Sequence, residues 1–472
     1  MRRCFNALNQ TSKIIVEIVC RRSPGYDEHN VAPGSQLGAE GEKLKRVEAR
    51  YVNKDDQFRI KKRDYERQFS QMYFYRLVKL RPLVVEAAQR AWPGVKHVRI
   101  LDVPEQTEVF IVGTLYKEMA LKPRILDEYT KDVVSHTGGS NFTQPSDVAV
   151  LEDEGGRVSL VGDHIDVGKC VTGVIVAVKG TVLESGDFQV SDMCYAGMAP
   201  QEPVPDSVED KYVALMSGFS LGGDAPNNIL KIQIMLDYCS GILGAEPGQK
   251  LAAKIVRVVF AGGILKGTAA NLSQPTSYAS VREQTTALEP IHDADALFAE
   301  LCETVDVDIM PGVADPANYS LPQQPLHRCL LPQTSSLSTV TRCTNPHSFE
   351  VDGVSFLGTS GQNIDDVRRY STIDGAANIM EKMLHWRHII PTAPDSLASY
   401  PYSDEDPFIL ESTPRVLFAG GQPTYETHLV TGRDGQCTRI ISIPDFSLDS
   451  TMILVNIRTL DVHPIRFDVT MM

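Results

Sequence analysis

Four glycine-rich stretches follow apolar runs in the second half of the chain. They read Ser217-Gly218-Phe219-Ser220-Leu221-Gly222, Ala261-Gly262-Gly263-Ile264-Leu265-Lys266, Pro311-Gly312-Val313-Ala314-Asp315 and Ala419-Gly420-Gly421-Gln422-Pro423. In an open α/β sheet such loops, just past the carboxyl ends of strands, are where chemistry sits. Here their side chains offer almost none. No loop ends in Gly-Lys-Ser/Thr, so this is no Walker A loop, and the three-glycine spacing of a dinucleotide fingerprint is missing. His327 stands alone after Pro-rich sequence and reads as a structural hydrogen-bonding group rather than a ligand. His385 and His388, three apart, would share a helix face, but with no carboxylate pair nearby they read as packing. Asp315 before Pro316 reads as an Asx-turn or helix-start residue. Gly361-Gln362-Asn363 with Asp365-Asp366 could hold a ligand, yet Asn363 and Asp365 equally suit caps for a helix at Val367. No catalytic, cofactor-binding or metal-binding residue is expected.

The elements that would position these loops follow from periodicity. Tyr212 to Met216 and Ile255 to Phe260 are apolar runs, the second broken only by Arg257, as in strands covered on both faces, with a helix over Asn227 to Cys239 between them. A helix over Ile291 to Val305 precedes a strand at Val305 to Met310. A strand at Val354 to Leu357 and a helix at Ala376 to His388 follow, then strands near Val416 to Phe418, Ile440 to Ile443 and Ile453 to Ile457. That pattern predicts an α/β domain of about 260 residues. Before it, Val109 to Gly113, Val158 to Val161, Val171 to Leu183 and Phe188 to Val190 are short strands with turn residues between. They suit a small barrel such as an OB-fold, or equally a sandwich. Pro200 to Pro205 reads as a linker. Further upstream, Phe69, Met72, Tyr73, Leu77 and Leu80 recur at helical spacing, and Pro82 should stop that helix or start the next. Residues 1–57 carry no sustained period and read as flexible.

The 472 residues carry a formal net charge of −14 and 42% apolar side chains. That balance excludes a disordered chain and argues against a protein that grips nucleic acid mainly by charge. No apolar run approaches a membrane span. The nine cysteines are scattered, with no CxxC, so neither a disulfide framework nor a zinc knuckle is expected, and reduced thiols of cytosol or nucleus are the default. Met1-Arg2-Arg3 could open a signal peptide, but Lys13 and Glu17 interrupt the apolar stretch, so secretion is not expected. Lys43 to Arg67 holds ten basic and five acidic residues and reads as a solvated helix face, with a nucleic-acid patch as the alternative. Glu283 to His327 holds nine acidic residues and no Lys or Arg, either a solvated surface or a docking field for a basic partner.

The glycine-loop frame resembles calcineurin-like metallophosphoesterases, whose Asp-x-His, Gly-Asp-x-x-Asp, Gly-Asn-His-Asp/Glu and Gly-His-x-His motifs hold two metal ions. The first motif's Asp and His positions match Gly218 and Ser220. Those of the second match Gly263 and Lys266, the third's Asn and His match Val313 and Ala314, and the last motif's histidines match Gly421 and Pro423. Such an inactivated domain behind an OB-like barrel resembles the B subunits of eukaryotic replicative DNA polymerases, most closely the polymerase delta small-subunit group. Carrying the resemblance are Met310-Pro311-Gly312 with Asp315-Pro316-Ala317-Asn318-Tyr319, then Leu321 to His327 and Phe356 to Asn363. Arg387-His388, Pro391 to Asp395 and Pro444-Asp445-Phe446 add to it, as do Leu151 to Glu154 and Leu215 to Gly218 with Leu221 to Gly223. It runs from about Phe58 to the C-terminus and departs at Gly263 and Gly421, where relatives often carry Asn.

The resemblance implies an α+β and α/β chain. Its parts would be a flexible or divergent extension (1–57), a helical segment (58–97), an OB-like barrel (98–205) and an inactive calcineurin-like phosphoesterase domain (206–472). It further implies a non-catalytic scaffold in the nucleus, active in DNA replication and repair. Such a chain would bridge the C-terminal domain of the polymerase delta catalytic subunit and the third subunit, and meet the sliding clamp and DNA through the holoenzyme, with no membrane partner. Two other readings stay open: a phosphodiesterase with a rearranged metal site, and a single-stranded DNA module built on the barrel. The second would need stacking aromatics, and between Val158 and Pro200 only Phe188 and Tyr195 are aromatic.

Overall fold

The structure is a computed structural model that describes residues 14–20, 44–123, 141–204, 209–223, 228–266 and 281–471. Its first elements fall in the stretch expected to be flexible. Strand β1 (Ile14–Cys20) lies antiparallel to Ile465–Met471. Strand β2 (Tyr51–Asn53) lies antiparallel to Phe349–Val351, and a 3-10 turn at Asp55–Phe58 follows it. Short edge strands whose partners lie hundreds of residues away leave no local period to read. The basic stretch is likewise not a helix face. Arg46 donates to the carbonyl oxygens of Cys239, Ala252 and Ile255 at 2.7, 2.8 and 2.7 Å, which satisfies groups left over at helix ends.

Helix α1 (Ser70–Ala91) runs straight through Pro82 instead of breaking there. Proline removes the bond to the carbonyl of Val78, but Pro82 and Val78 both face solvent, where water can replace it. The opposite face, with Leu77, Leu80, Val84 and Ala88, is buried. At about 1.5–3 kcal/mol for each fully buried large apolar side chain, that face outweighs one lost bond.

Six strands follow: β3 (Lys96–His97), β4 (Val109–Glu118), β5 (Val148–Glu152), β6 (Arg157–Val161), β7 (Ile175–Val182) and β8 (Phe188–Cys194). Their order runs β4-β5-β6-β8-β7, and β7 pairs back onto β4, so the sheet closes. Closure decides for the barrel over the sandwich. Val109, Ile111 and Leu115 of β4 point into its core, while Phe110 and Val112 on the other face pack with Leu77, Leu80 and Trp92. Helix and barrel therefore share a second core on the outer face of β4, apart from the barrel's own interior. Among the expected barrel strands, β5 is an addition.

Pro200 to Val204 is not a free linker. Thr413 donates to Pro200 O, and Gln201 bonds to Pro414 O and Cys437 O. Strand β9 (Tyr212–Met216), helices α2 (Asn228–Cys239) and α3 (Glu246–Ala252), and strand β10 (Ile255–Ala261) come next. Helix α4 (Val281–Cys302), β11 (Asp306–Met310), β12 (Val340–Arg342), β13 (His347–Val351), β14 (Val354–Thr359), α5 (Gln362–Tyr370) and α6 (Ala376–Trp386) continue the chain. It ends with β15 (Val416–Gln422), β16 (Glu426–Thr431), β17 (Cys437–Pro444), α7 (Phe446–Asp449), β18 (Thr451–Asn456) and β19 (Val462–Met471).

Two mixed sheets result, in the orders β1-β19-β18-β9-β10-β11-β12 and β16-β17-β15-β14-β13-β2. They pack face to face through Val213, Leu215, Val259, Phe349, Phe356 and Phe418. Ile232 of α2 and Phe298 of α4 cover the outside of the first sheet, and Ile379 and Met383 of α6 cover the second. The expected α/β sandwich thus has four layers, helix-sheet-sheet-helix. Among the described residues no helix is long and apolar enough to cross a membrane.

Candidate functional site

The four glycine-rich loops meet where the strands of both sheets end, and they meet backbone to backbone. Gly218 N donates to Gly262 O, Ser220 N to Gly263 O and Leu221 N to Ile264 O, at 2.9–3.0 Å. The Ser217 hydroxyl donates to Ala261 O at 2.8 Å and accepts from Gly421 N at 2.9 Å. The approach is too close for side chains. A Cβ on Gly218 would fall 2.4 Å from Asp445 Cγ, one on Gly312 would fall 2.5 Å from Gly263 N, and one on Gly420 would fall 2.2 Å from Ala261 O. Glycine is required here by space.

The one carboxylate within the loops, Asp315, and the one packed against them, Asp445, are both committed. Asp315 is buried and accepts from Gly312 N, Leu265 N and Gly263 N at 2.7, 2.9 and 3.0 Å. It is a tie between two loops rather than a local Asx-turn. Burial pushes its carboxyl up, and the backbone donors pull against that. Asp445 caps α7 through Ser447 N at 2.9 Å, with its carboxyl likewise raised by burial. Val313 and Pro423 face solvent, as do Gly421 and Lys266. No histidine lies in any of the four loops. This donor set does not fit a pair of metal ions, which would need several free Asp, Asn and His groups around one space.

Beside the glycine knot sits a network of neutral amides. Asn345 Nδ2 donates to Ser360 Oγ, Gln323 Oε1 and Gln362 Oε1 at 2.6, 2.8 and 2.9 Å. Gln362 Nε2 donates to Gln323 Oε1 at 3.0 Å, and Gln323 Nε2 reaches Gly312 O at 3.1 Å. Buried polar groups of this kind must be fully bonded to be tolerated. The stretches around Met310–Asn318, Leu321–His327 and Phe356–Asn363 converge on this network. Asn345, after an unremarked turn, is the member that sequence reading missed.

The remaining candidates scatter. His327 is exposed, and its Nδ1 accepts from Cys329 N at 3.3 Å, a local structural bond. Helix α6 stops at Trp386, with Arg387 in the left-handed conformation at φ 54, so His385 and His388 do not share a helix face. The N-cap of α5 is Gly361; Asn363 instead accepts from Thr359 Oγ1 and donates to Ile389 O. Asp365 pairs with Arg368 at 2.7 Å, and Asp366 accepts from Ser396 Oγ at 2.6 Å with its carboxyl pushed up to about 6 by burial.

His388 belongs to a buried lock between the two halves of the molecule. Arg76 of α1, fully buried, donates to Asp406 at 2.8 Å, to Pro391 O at 2.8 Å, to Ala393 O at 2.9 Å and to Gly173 O of the barrel at 3.3 Å. His388 Nε2 meets the same Asp406 oxygen at 2.9 Å. Burial alone would raise the Asp406 carboxyl, but His388 and Arg76 hold it well below the usual range. His388 itself is pushed down to about 4, first by burial and then by Arg76. Gly173 takes φ +88 here, and a Cβ would strike Pro391 O.

A second lock ties the N-terminal stretch to the sandwich. Buried His347 places Nδ1 2.7 Å from Asp55 and Nε2 3.3 Å from Asp308, and Arg257 pairs with Asp308 at 2.6 Å. Burial opposes the charged imidazolium, but the Cys343 sulfur and the carboxylates of Asp308 and Asp55 outweigh it and raise His347 well above its ordinary value. Donor atoms of Asp55, Cys343 and His347 lie within 4.8 Å of one another, a grouping with metal-ligand chemistry that sequence reading did not find. It does not fit an ion. Both ring nitrogens are spent on carboxylates, Asp55 also accepts from Ser348 N, Asn53 Nδ2 and Thr344 N, and burial pushes the Cys343 thiol up to about 12.

The acidic field shrinks in the same way. Asp295 accepts from Gln333 N and Thr334 N, Asp306 and Asp308 pair with Arg257, and Asp315 ties the loops. Glu289, Glu300 and Glu303 remain exposed. On the barrel, Phe188 is fully buried and Tyr195 packs against Trp386, so neither offers a base-stacking face. Lys169, Lys179 and Arg157 are paired with Asp166, Glu108 and Glu152. Seven cysteines are free among the described residues.

Comparison with known proteins accords with this layout. A family model described as DNA polymerase delta subunit OB-fold domain matches residues 68–193, and one described as the B subunit of DNA polymerase alpha/epsilon matches 213–427. The DNA polymerase delta small subunit of Arabidopsis thaliana is 43% identical over 426 residues, covering 89% of this chain and 96% of that protein. DNA polymerase delta subunit 2 of Drosophila melanogaster is 34% identical over 90% of this chain and 99% of its own length. The small subunit of Saccharomyces cerevisiae is 30% identical over 94% and 99%. With an OB-fold unit, a sandwich matching the alpha/epsilon model and relatives covered nearly end to end, the chain belongs to the DNA polymerase delta small-subunit family.

Proposed function

We propose that this chain is a non-catalytic accessory subunit of a nuclear DNA polymerase delta, serving replication and repair synthesis as a scaffold. In this reading it bridges the C-terminal domain of the catalytic subunit and the third subunit, and it reaches the sliding clamp and DNA mainly through the holoenzyme. The observation that carries the reading is the glycine knot. At the strand ends, where a phosphoesterase would hold its ions, backbone packs on backbone and the adjoining cleft is filled by uncharged amides. A two-metal mechanism needs the opposite, a polar space ringed by carboxylates and imidazoles that lower the pKa of a bound water. The long-range locks at Arg76 and His347 support the scaffold part, because they fix the halves of the chain in one arrangement that partners could read.

The test is coexpression with a polymerase delta catalytic subunit and with the third subunit. Copurification of both, with loss of the catalytic subunit when its C-terminal domain is removed, is the expected result. Elemental analysis of the purified chain should give less than one transition metal per molecule, and no phosphodiester turnover should appear with added manganese. Two bound metals with chelator-sensitive turnover would overturn the reading.

A further inference from the structure

The segment from Arg59 to Arg67 crosses from the core residue Phe58 towards α1 as an irregular strap, and its backbone is pinned. Ile60 N donates to Gln324 Oε1 at 3.1 Å. Tyr400 Oη donates to Lys62 O at 2.7 Å and accepts from Asp64 N at 2.8 Å. Arg67 bonds to Ser403 Oγ and pairs with Asp404. The side chains between these pins behave differently. Arg59 has Asp56 and Arg67 has Asp64 as ionic partners, whereas Lys61, Lys62 and Arg63 are exposed and make no hydrogen bond or ion pair with any described residue. Asp64 feels Lys62 electrostatically without touching it. Next to them Tyr65 is 63% exposed, its ring in a T-shaped contact with that of Tyr400.

Three adjacent free cations on a fixed backbone stand out in a chain of net charge −14. A pinned strap loses little entropy when it binds, so even a few charges can register. The partner must be a polyanion, and the neighbouring exposed ring of Tyr65 selects one that also carries planar rings. We propose that the Lys61-Lys62-Arg63 strap with Tyr65 is a weak electrostatic contact for single-stranded nucleic acid. An acidic polypeptide would answer the charges but give Tyr65 nothing to stack on. Three phosphate contacts on a single strand correspond to a slope of about −2 in log affinity against log salt, so the contact guides a strand and does not hold it. The inference is drawn from this chain alone and stands or falls separately from the bridging role.

The experiment is fluorescence anisotropy of a labelled oligothymidylate titrated with the full-length chain across about 25–200 mM salt, a range over which a few phosphate contacts separate clearly. Binding in the micromolar range at low salt is expected, weakening along that slope. Lys61→Glu/Lys62→Glu/Arg63→Glu should raise the Kd at least about tenfold, because it replaces each released counterion with a repulsion. Tyr65→Ala should raise it several-fold. The milder Lys61→Gln/Lys62→Gln/Arg63→Gln, with an unchanged melting temperature, separates lost contact from lost fold. Absent binding at low salt, or a Kd that the charge variants leave unchanged, overturns the proposal. So does displacement of the oligonucleotide by poly-glutamate as effectively as by unlabelled oligothymidylate, which would assign the strap to an acidic protein.

Discussion

The strand-end knot and the two locks are all buried and polar, but they are built from opposite materials. Around Asn345, Gln323 and Gln362 the groups are neutral, and each donor meets an acceptor. At Arg76–Asp406–His388 and Asp55–His347–Asp308–Arg257 they are ionic, with partners 330 and 292 positions apart in sequence. Burying a charge costs several kcal/mol unless its partner and hydrogen bonds are nearly ideal, so charge is a poor way to fill space. It is a sensitive way to fix a distance, because a displaced partner leaves a bare ion behind. In this chain the ion pairs stand at the seams between distant segments, whereas the network of Asn345, Gln323 and Gln362 beside the glycine knot holds no ionic group.

Breaking a lock should therefore cost most. Arg76→Met leaves Asp406 without its guanidinium and three carbonyl oxygens without their donor. Destabilisation of about 3–5 kcal/mol is expected by chemical denaturation of the purified chain. A loss under 1 kcal/mol would mean the seam is held by apolar packing alone.

The second lock sharpens the comparison through pH, because the two buried histidines have opposite signs. His347 is raised in the fold, so its contribution is whole below the unfolded value near 6.5 and is lost as pH rises beyond it. His388 is lowered to about 4, so its contribution is whole above 6.5 and is lost as pH falls from 6.5 towards 4. His347→Gln should destabilise by about 2–4 kcal/mol at pH 6, and the gap to wild type should narrow at pH 8 by up to about 1.4 kcal/mol per unit. His388→Gln should instead flatten the acid side of the stability profile. Denaturation midpoints at pH 5, 6, 7 and 8 distinguish the two, and parallel profiles would refute the assignment.

A charge placed in the amide network should cost less, and its cost should be removable. Asn345→Asp replaces a two-proton donor with an acceptor that faces the acceptor-only Gln323 Oε1 and Gln362 Oε1. About 1–3 kcal/mol should be lost at neutral pH. Burial would raise the new carboxyl's pKa, so the loss should shrink as pH falls and the group takes up a proton. Equal destabilisation at pH 4.5 and 7.5 would show that shape, not charge, is what the network excludes.

These differences bear on what could be read from the sequence. The apolar runs of β9 and β10 were legible because both faces of those strands are covered, and the glycine loops because glycine at successive strand ends is rare. The locks were not. Arg76 falls on the apolar stripe of α1 between Met72 and Leu80, but nothing local names the carboxylate it meets, and Asp55 lies in a stretch with no period. Their burial is decided by Asp406 and His347, across the chain. Strands β13 and β16 escaped for a related reason. Both are short antiparallel members: β13 turns the polar His347 inward to partners that local patterning does not reveal, and the edge strand β16 buries only Val430.

The smallest expected effect isolates what makes the locks expensive. Arg81 lies five residues beyond Arg76 on α1 and forms a two-pronged pair with Glu154, both bonds at 2.5 Å, across the same helix-barrel contact. Its geometry is as good as that of Arg76, but its side chain is 24% exposed and that of Glu154 is 38% exposed. Water already serves both ions there, so little is left uncompensated when one is removed. Arg81→Gln should cost about 0.5 kcal/mol, fading in high salt, when measured beside Arg76→Met in the same denaturation series. A cost near that of Arg76 would make pairing itself the source of rigidity. The expected several-fold disparity on one helix would assign it to burial, and with it the division between a charged seam and a neutral amide network.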